Sequence, residues 1–217
     1  MSLYAFLVFF IILSMVLYHI FALYMGSKMM KYILKPGTMV FIIMLALYSS
    51  PWDTTFGKWV VVALLLSVIG DVFLMLHEKW FVHGLVSFFI AHVFYIAAFW
   101  GSFSLDMTSS SSLIIGLLLL LIAVCFFLFL FPSVHQEGGG QLATAVALYI
   151  IVISVMFWSA ILIGSSMLIF ASLLFYVSDA VLAIDKFPYR FKVAEHIVMV
   201  TYFSAQLLFA VSISWGF

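Results

Sequence analysis

The sequence predicts an all-α, polytopic membrane protein of about eight transmembrane helices, forming a single integral membrane domain over residues 1–217. Three observations carry that expectation. Of the 217 residues, 68% are apolar and only 7% charged, whereas soluble domains carry about 25% charged residues. The apolar residues gather into runs of about 20, the length that crosses roughly 30 Å of hydrocarbon. Charged residues concentrate in the short connections between those runs. A formal net charge of zero with no basic arm leaves no footprint for nucleic acid. A lone cysteine, Cys125, excludes an intrachain disulfide or a CxxC motif and is expected as a small core residue.

The first span is expected over Leu3–Met25. No basic residue precedes it and no small-residue cleavage site follows, so it reads as a retained helix rather than a signal peptide. Lys28, Lys31, Lys35 and Pro36 then mark a connection, and a short second span covers Thr38–Ser50. Span three runs from Lys58 to His77 and span four from Trp80 to Trp100. A serine-rich connection leads to the uncharged span Leu113–Phe131, and PSVHQEGGG (132–140) reads as a flexible turn. Gln141–Ile163, Met167–Ile184 and Val193–Trp215 complete the eight. All four prolines are thereby placed in connections.

Charge bias orients this arrangement. The connections after spans one, three, five and seven hold Lys28, Lys31, Lys35, Lys79, Lys186, Arg190 and Lys192, against Lys58 alone on the other side. The positive-inside rule places that richer side in the cytoplasm, with both termini outside. A GDVFL and SDAVL match, 108 residues apart, hints at a weak four-plus-four internal repeat.

Asp71 and Asp179 are the chemical centre. An ionisable group in hydrocarbon costs several kcal/mol and persists only when paired, wetted or useful. Asp71 lies eight residues before Lys79 and Asp179 seven before Lys186, so both sit roughly 10–12 Å from the cytoplasmic boundary. Two carboxyls at matched depth on parallel helices can share one wet pocket nearer that side. His92 and Tyr95 lie one turn apart on the fourth span. Ser67 precedes Asp71 by a turn, and Tyr176 precedes Asp179 by nearly one. Glu195, Met199, Tyr202 and Gln206 share one face of the last span. His19 and His135 read as incidental, and His77, His83, Glu78 and Asp185 as solvated interfacial groups. An intramembrane aspartate can also be no more than a clamp between helices; two at one depth argue for chemistry.

GDVFLML, FVHGLVSFFIAHVFYIAAF, SDAVLAIDKF and YFSAQLL, with Lys35-Pro36 and AVALYIIVISVMFWSA, resemble the YhhN-like lysoplasmalogenases over essentially the whole chain. That resemblance implies an eight-helix enzyme of a bacterial cell membrane cleaving the vinyl ether of lysoplasmalogens, with ethanolamine or choline head groups. Its products are a fatty aldehyde and a glycerophospho head group. The implied partners are a vinyl-ether lysophospholipid and membrane lipid, with no obligate protein partner, cofactor or metal. Asp71 and Asp179 become the catalytic pair with His92 as positioning or relay group. Ser67, Tyr95, Tyr149, Tyr176, Glu195, Tyr202 and Gln206 become substrate-binding candidates. Vinyl ethers hydrolyse by protonation of the outer alkene carbon to an oxocarbenium ion, a task that two carboxyls can divide. Which aspartate gives the proton stays open, and Asn at either position is expected to abolish turnover with stability nearly intact.

Two other classes compete. A proton-coupled transporter would also bury aspartates and a histidine, but usually in helices broken by Gly or Pro. A metal-dependent intramembrane hydrolase could draw on His92, Asp71, Asp179 and His196, although no HxxxH or HExxH pair occurs.

Overall fold

A computed structural model describes residues 2–49 and 51–215, and helices are the only regular elements among them. α1 (Leu3–Leu17) starts where the Ser2 side chain accepts a hydrogen bond from the Ala5 backbone N–H, satisfying one of the orphan donors of a helix start. The chain continues as a π-helix over Tyr18–Tyr24 and stops at Gly26, whose φ of 68° is a conformation that L side chains rarely adopt.

α2 (Lys28–Tyr48) corrects the short second span. Ser27 caps it by accepting from the Met30 N–H, so the lysines read as a connection are its opening turns. Lys28, Lys31 and Lys35 follow i, i+3, i+7 spacing and share one helical face. Pro36 lies within the helix. The anticipated end at Ser50 lies outside the described residues, and Ser49 is the cap.

α3 (Thr55–Met75) begins three residues before the expected Lys58 because the Thr54 hydroxyl accepts from the Gly57 N–H. A 3-10 turn, Glu78–Trp80, leads into α4 (Phe81–Ser102). These helices form one of the closest pairs in the molecule, and their glycines explain why. A Cβ at Gly70 would lie 2.6 Å from the Phe88 ring, and one at Gly84 would lie 2.8 Å from Leu74. Phe88 and Leu74 therefore press against bare backbone beside Asp71. In the following connection Asp106 accepts from the Thr108 N–H, the Thr108 hydroxyl and the Ser109 N–H. Those bonds, the Thr108 backbone first, hold its carboxyl below the usual range.

Helix Ser110–Ile163 is 54 residues long, about 80 Å if straight, far beyond one bilayer. Non-helical angles at Gly138 and Gly139 (φ 62°) break it. The arms, α5 (110–137) and α6 (140–163), fold back on each other: Trp158 donates to the Ser112 carbonyl at 3.1 Å, 46 residues away. Lys186 secures the bend through a 2.7 Å ion pair with Glu137. Seven helices among the described residues are apolar and long enough to cross a membrane, and the folded pair makes eight spans. Pro132 lies inside α5 rather than at its end, so the turn shrinks to the glycines. α7 (Ser166–Lys186) and α8 (Ala194–Ser212) close the bundle as another tightly packed pair, with a 3-10 turn, Ile213–Trp215, after α8.

Burial follows polarity. Half of the α8 span is buried against 11% for the α5 side of the hairpin, and α5, uncharged before Glu137, exposes Leu117, Leu121 and Leu128 as a lipid-facing surface would. Cys125 sits on that exposed helix rather than in the core. The most polar helices thus meet in the middle, where the aspartates are.

Candidate active site

Asp71, on α3, has its side chain 2% exposed and both oxygens occupied. Lys35 Nζ lies 3.0 Å from Oδ1, and the Tyr202 hydroxyl donates to Oδ2 at 2.6 Å. Lys35 is itself nearly buried. Ion pairs this deep are set by geometry, since each charge has lost its water and depends on the other.

Asp179, on α7, is held differently. The Tyr149 hydroxyl donates to Oδ2 at 2.5 Å, and His92 Nε2 stands 3.7 Å from the same oxygen. No hydrogen bond holds Oδ1 among the described residues, and no lysine or arginine pairs with this carboxyl there. His92 Nδ1 lies 2.6 Å from the Phe88 carbonyl. A carbonyl only accepts, so Nδ1 carries a hydrogen, and the neutral ring in that tautomer turns the Nε2 lone pair towards Asp179. Nε2 has no hydrogen-bond partner among the described residues, although the ring is fully buried against Phe175 and Tyr149.

Two cavities meet at Asp179. One, about 220 Å³, is polar, and its walls include Lys31, Lys35, Asp71, Asp185, Glu195 and Tyr202. The other is a narrow apolar slot between α4, α5, α6 and α7, lined by such residues as Leu85, Phe126, Val146 and Ile153. Leu74, Phe88, Asp179 and Leu182 belong to both. Asp179 is therefore the one carboxyl on the shared wall. Tyr149 and Tyr176 join it on the slot side, and Ser154 donates to the Tyr176 hydroxyl at 3.4 Å.

At the far end of the polar cavity Glu195 pairs with Lys31 and accepts from the Tyr18 hydroxyl at 3.2 Å. The Lys31 and Glu195 side chains are 35% and 43% exposed. Exposed pairs contribute about 0–1 kcal/mol, so this contact opens easily where Lys35–Asp71 does not.

Asp71, Asp179, Glu195 and Tyr202 thus line the polar cavity, with Tyr149 and Tyr176 on the slot and His92 against Asp179. Ser67, Tyr95 and Gln206 line neither cavity. Ser67 donates to the Ala63 carbonyl and Tyr95 to Gln206 at 2.6 Å, forming a buried polar layer that ties α4 to α8. Lys35 is the principal residue missed: Pro36 marked it as part of a turn, while its helical register with Lys28 and Lys31 was the available signal. Asp185, read as solvated, also reaches the cavity. The four groups named for a metal do not converge, as His196 stands against His19 on another wall. Among the described residues no three His, Cys, Asp or Glu side chains are placed to hold an ion.

The profile of the YhhN family matches residues 30–213. Lysoplasmalogenase TMEM86A of Bos taurus is 32% identical over 162 residues, covering 70% of this chain and 63% of the relative. Lysoplasmalogenase TMEM86B of Mus musculus is 33% identical over 150 residues, covering 69% and 61%. A lysoplasmalogenase homolog of Dictyostelium discoideum is 33% identical over 113 residues, or 49% and 35%. The chain spans less than two thirds of the length of these relatives. No solved structure matches.

Proposed function

The chain belongs to the YhhN family, and from that premise we propose that it is a lysoplasmalogenase. It would hydrolyse the vinyl ether of a lysophospholipid to a fatty aldehyde and a glycerophospho head group. The observation that carries this reading is the position of Asp179 on the wall common to a polar cavity and an apolar slot. A lysoplasmalogen has the same division, a charged head and an alkenyl chain joined at the bond to be cut. With the head in one cavity and the chain in the other, that bond lies at Asp179. The names of the similar proteins support the same reaction.

The chemistry then divides between the aspartates. Asp179, with Oδ1 unengaged and no lysine or arginine paired with it among the described residues, delivers a proton to the outer alkene carbon. The π electrons form the new C–H bond, and the ether oxygen shares the positive charge as an oxocarbenium ion. Water adds to the charged carbon and loses a proton to the Asp179 carboxylate, with the His92 Nε2 lone pair beside it. The hemiacetal collapses as the C–O bond to glycerol breaks: the Asp179 carboxyl gives its proton to the leaving oxygen and takes up the hydroxyl proton of the hemiacetal. Asp71, held by Lys35 and Tyr202, supplies negative charge across the cavity that favours the cation. Tyr149 holds Asp179 in place.

The test is hydrolysis of a lysoplasmalogen and its ester analogue in D2O. Aldehyde should come from the vinyl ether alone and carry one deuterium on the carbon next to the carbonyl when trapped before enolisation. Aldehyde without that deuterium would remove carbon protonation from the mechanism, and no aldehyde would remove the function.

We also propose that both termini of this integral membrane protein lie outside the cytoplasm, with the site nearer the cytoplasmic face. Lys35 is buried and drops out of the charge count, leaving six of the seven residues against Lys58. In a Cys125→Ala background, Ser2→Cys and Tyr189→Cys should label with an impermeant thiol reagent from opposite faces. Labelling from one face would refute the arrangement.

A further inference from the structure

The Lys31–Glu195 ion pair stands between two spaces. On its inner side is the polar cavity, with Asp71, Asp179, Asp185 and Glu195 against Lys31 and Lys35. On its outer side is a second cavity of about 260 Å³, whose charged or titratable walls are Lys28, Lys31, Lys192, His196 and Glu195. The inner space is carboxylate-rich and the outer one is lysine-rich. Two helices also begin at the outer space, α2 after Ser27 and α8 after Val193, and Val193 provides no side-chain cap. Helix starts present backbone N–H donors and a positive dipole end to an anion.

The outer cavity shares no lining residue with the apolar slot, so an alkenyl chain in the slot reaches it only through the polar cavity. A different cavity, beside Glu78 and Arg190, shares Leu74, Phe81 and Leu182 with the slot and offers surfaces for a whole amphiphile.

We propose that the outer cavity is a binding site for a phosphodiester anion, and that it receives the glycerophospho product when the Lys31–Glu195 pair parts. The inference rests on vinyl-ether hydrolysis as read above. It gives the water-soluble product a route separate from the lipid: the anion leaves a carboxylate-rich chamber for a lysine-rich one, while the aldehyde returns along apolar walls. Lys28 and Lys192 are exposed and hold the outer end of the site, and the weak ion pair is its door.

The experiment measures binding without turnover, so its outcome is independent of the assay for aldehyde. Full-length protein in micelles is titrated with sn-glycero-3-phosphocholine, free in solution, and separately with lysophosphatidylcholine, followed by phosphorus NMR line width. Lys28→Ala/Lys192→Ala should weaken binding of the free diester at least tenfold and that of the lysolipid less than twofold. Lys58→Ala/Lys79→Ala removes the same charge elsewhere and should leave the diester Kd in place. Equal losses for both ligands would assign the cavity to a lipid head group. An unchanged diester Kd, or an equal loss in the Lys58/Lys79 control, would also overturn the proposal.

Discussion

Asp179→Asn is expected to lower turnover of a vinyl-ether lysophospholipid by about 10²–10⁴-fold, the range carried by a single positioned acid or base. The thermal midpoint should move by no more than a few degrees. Asparagine keeps the size of the side chain and still accepts from the Tyr149 hydroxyl, so the packing around α7 survives. It cannot give a proton to carbon. No ammonium or guanidinium depends on Asp179 among the described residues, and its removal strands no charge. His92→Ala should cost less, because the imidazole touches the reaction only through Asp179. It should also move the pH profile of kcat, a readout that lost packing alone would leave alone. Turnover within a factor of ten of wild type in Asp179→Asn would remove this residue from the chemistry.

The difference between the two aspartates was not legible in the sequence, and the reason is local. Each has a basic residue seven or eight positions downstream, a small residue before it and a leucine three after, so linear spacing makes them look equivalent. Their neighbours come from other helices. Asp71 meets Lys35 across 36 positions and Tyr202 across 131; Asp179 meets Tyr149 across 30. What the sequence did carry was whatever periodicity and hydropathy encode: the eight spans, the meeting of both aspartates at one cavity and the shared face of Glu195 and Tyr202. It misled where a local rule was outvoted. Pro36 and Pro132 normally argue against a helix interior, yet both lie inside helices. For Pro36 the consequence reached the site, because ending the helix there hid the lysine that holds Asp71. Placing all the prolines in connections was also the argument against a transporter, and that argument falls.

Lys35 gives the second large effect. Removing one partner of a buried ion pair leaves the other charged and unpaired, at a cost of about 3–5 kcal/mol. For a chain of this size that corresponds to a fall in thermal midpoint of roughly 6–20 °C. Lys35→Met should show it, since methionine fills much of the volume but leaves the Asp71 carboxylate facing Tyr202 alone. Asp71→Asn should show part of the same loss, because Lys35 then keeps its charge with only an amide opposite. This departs from the sequence-based expectation that either asparagine variant keeps its stability. A third variant separates charge from packing: Lys35→Met/Asp71→Leu removes both members and should regain most of the midpoint, as apolar replacements of buried pairs often do. It should remain inactive, since the charge facing the cation is gone. Thermal unfolding of the three variants in one detergent checks the set. A double variant no more stable than Lys35→Met would mean that shape rather than charge holds α2 to α3, and a Lys35→Met protein melting with wild type would mean that Asp71 finds its counter-charge elsewhere.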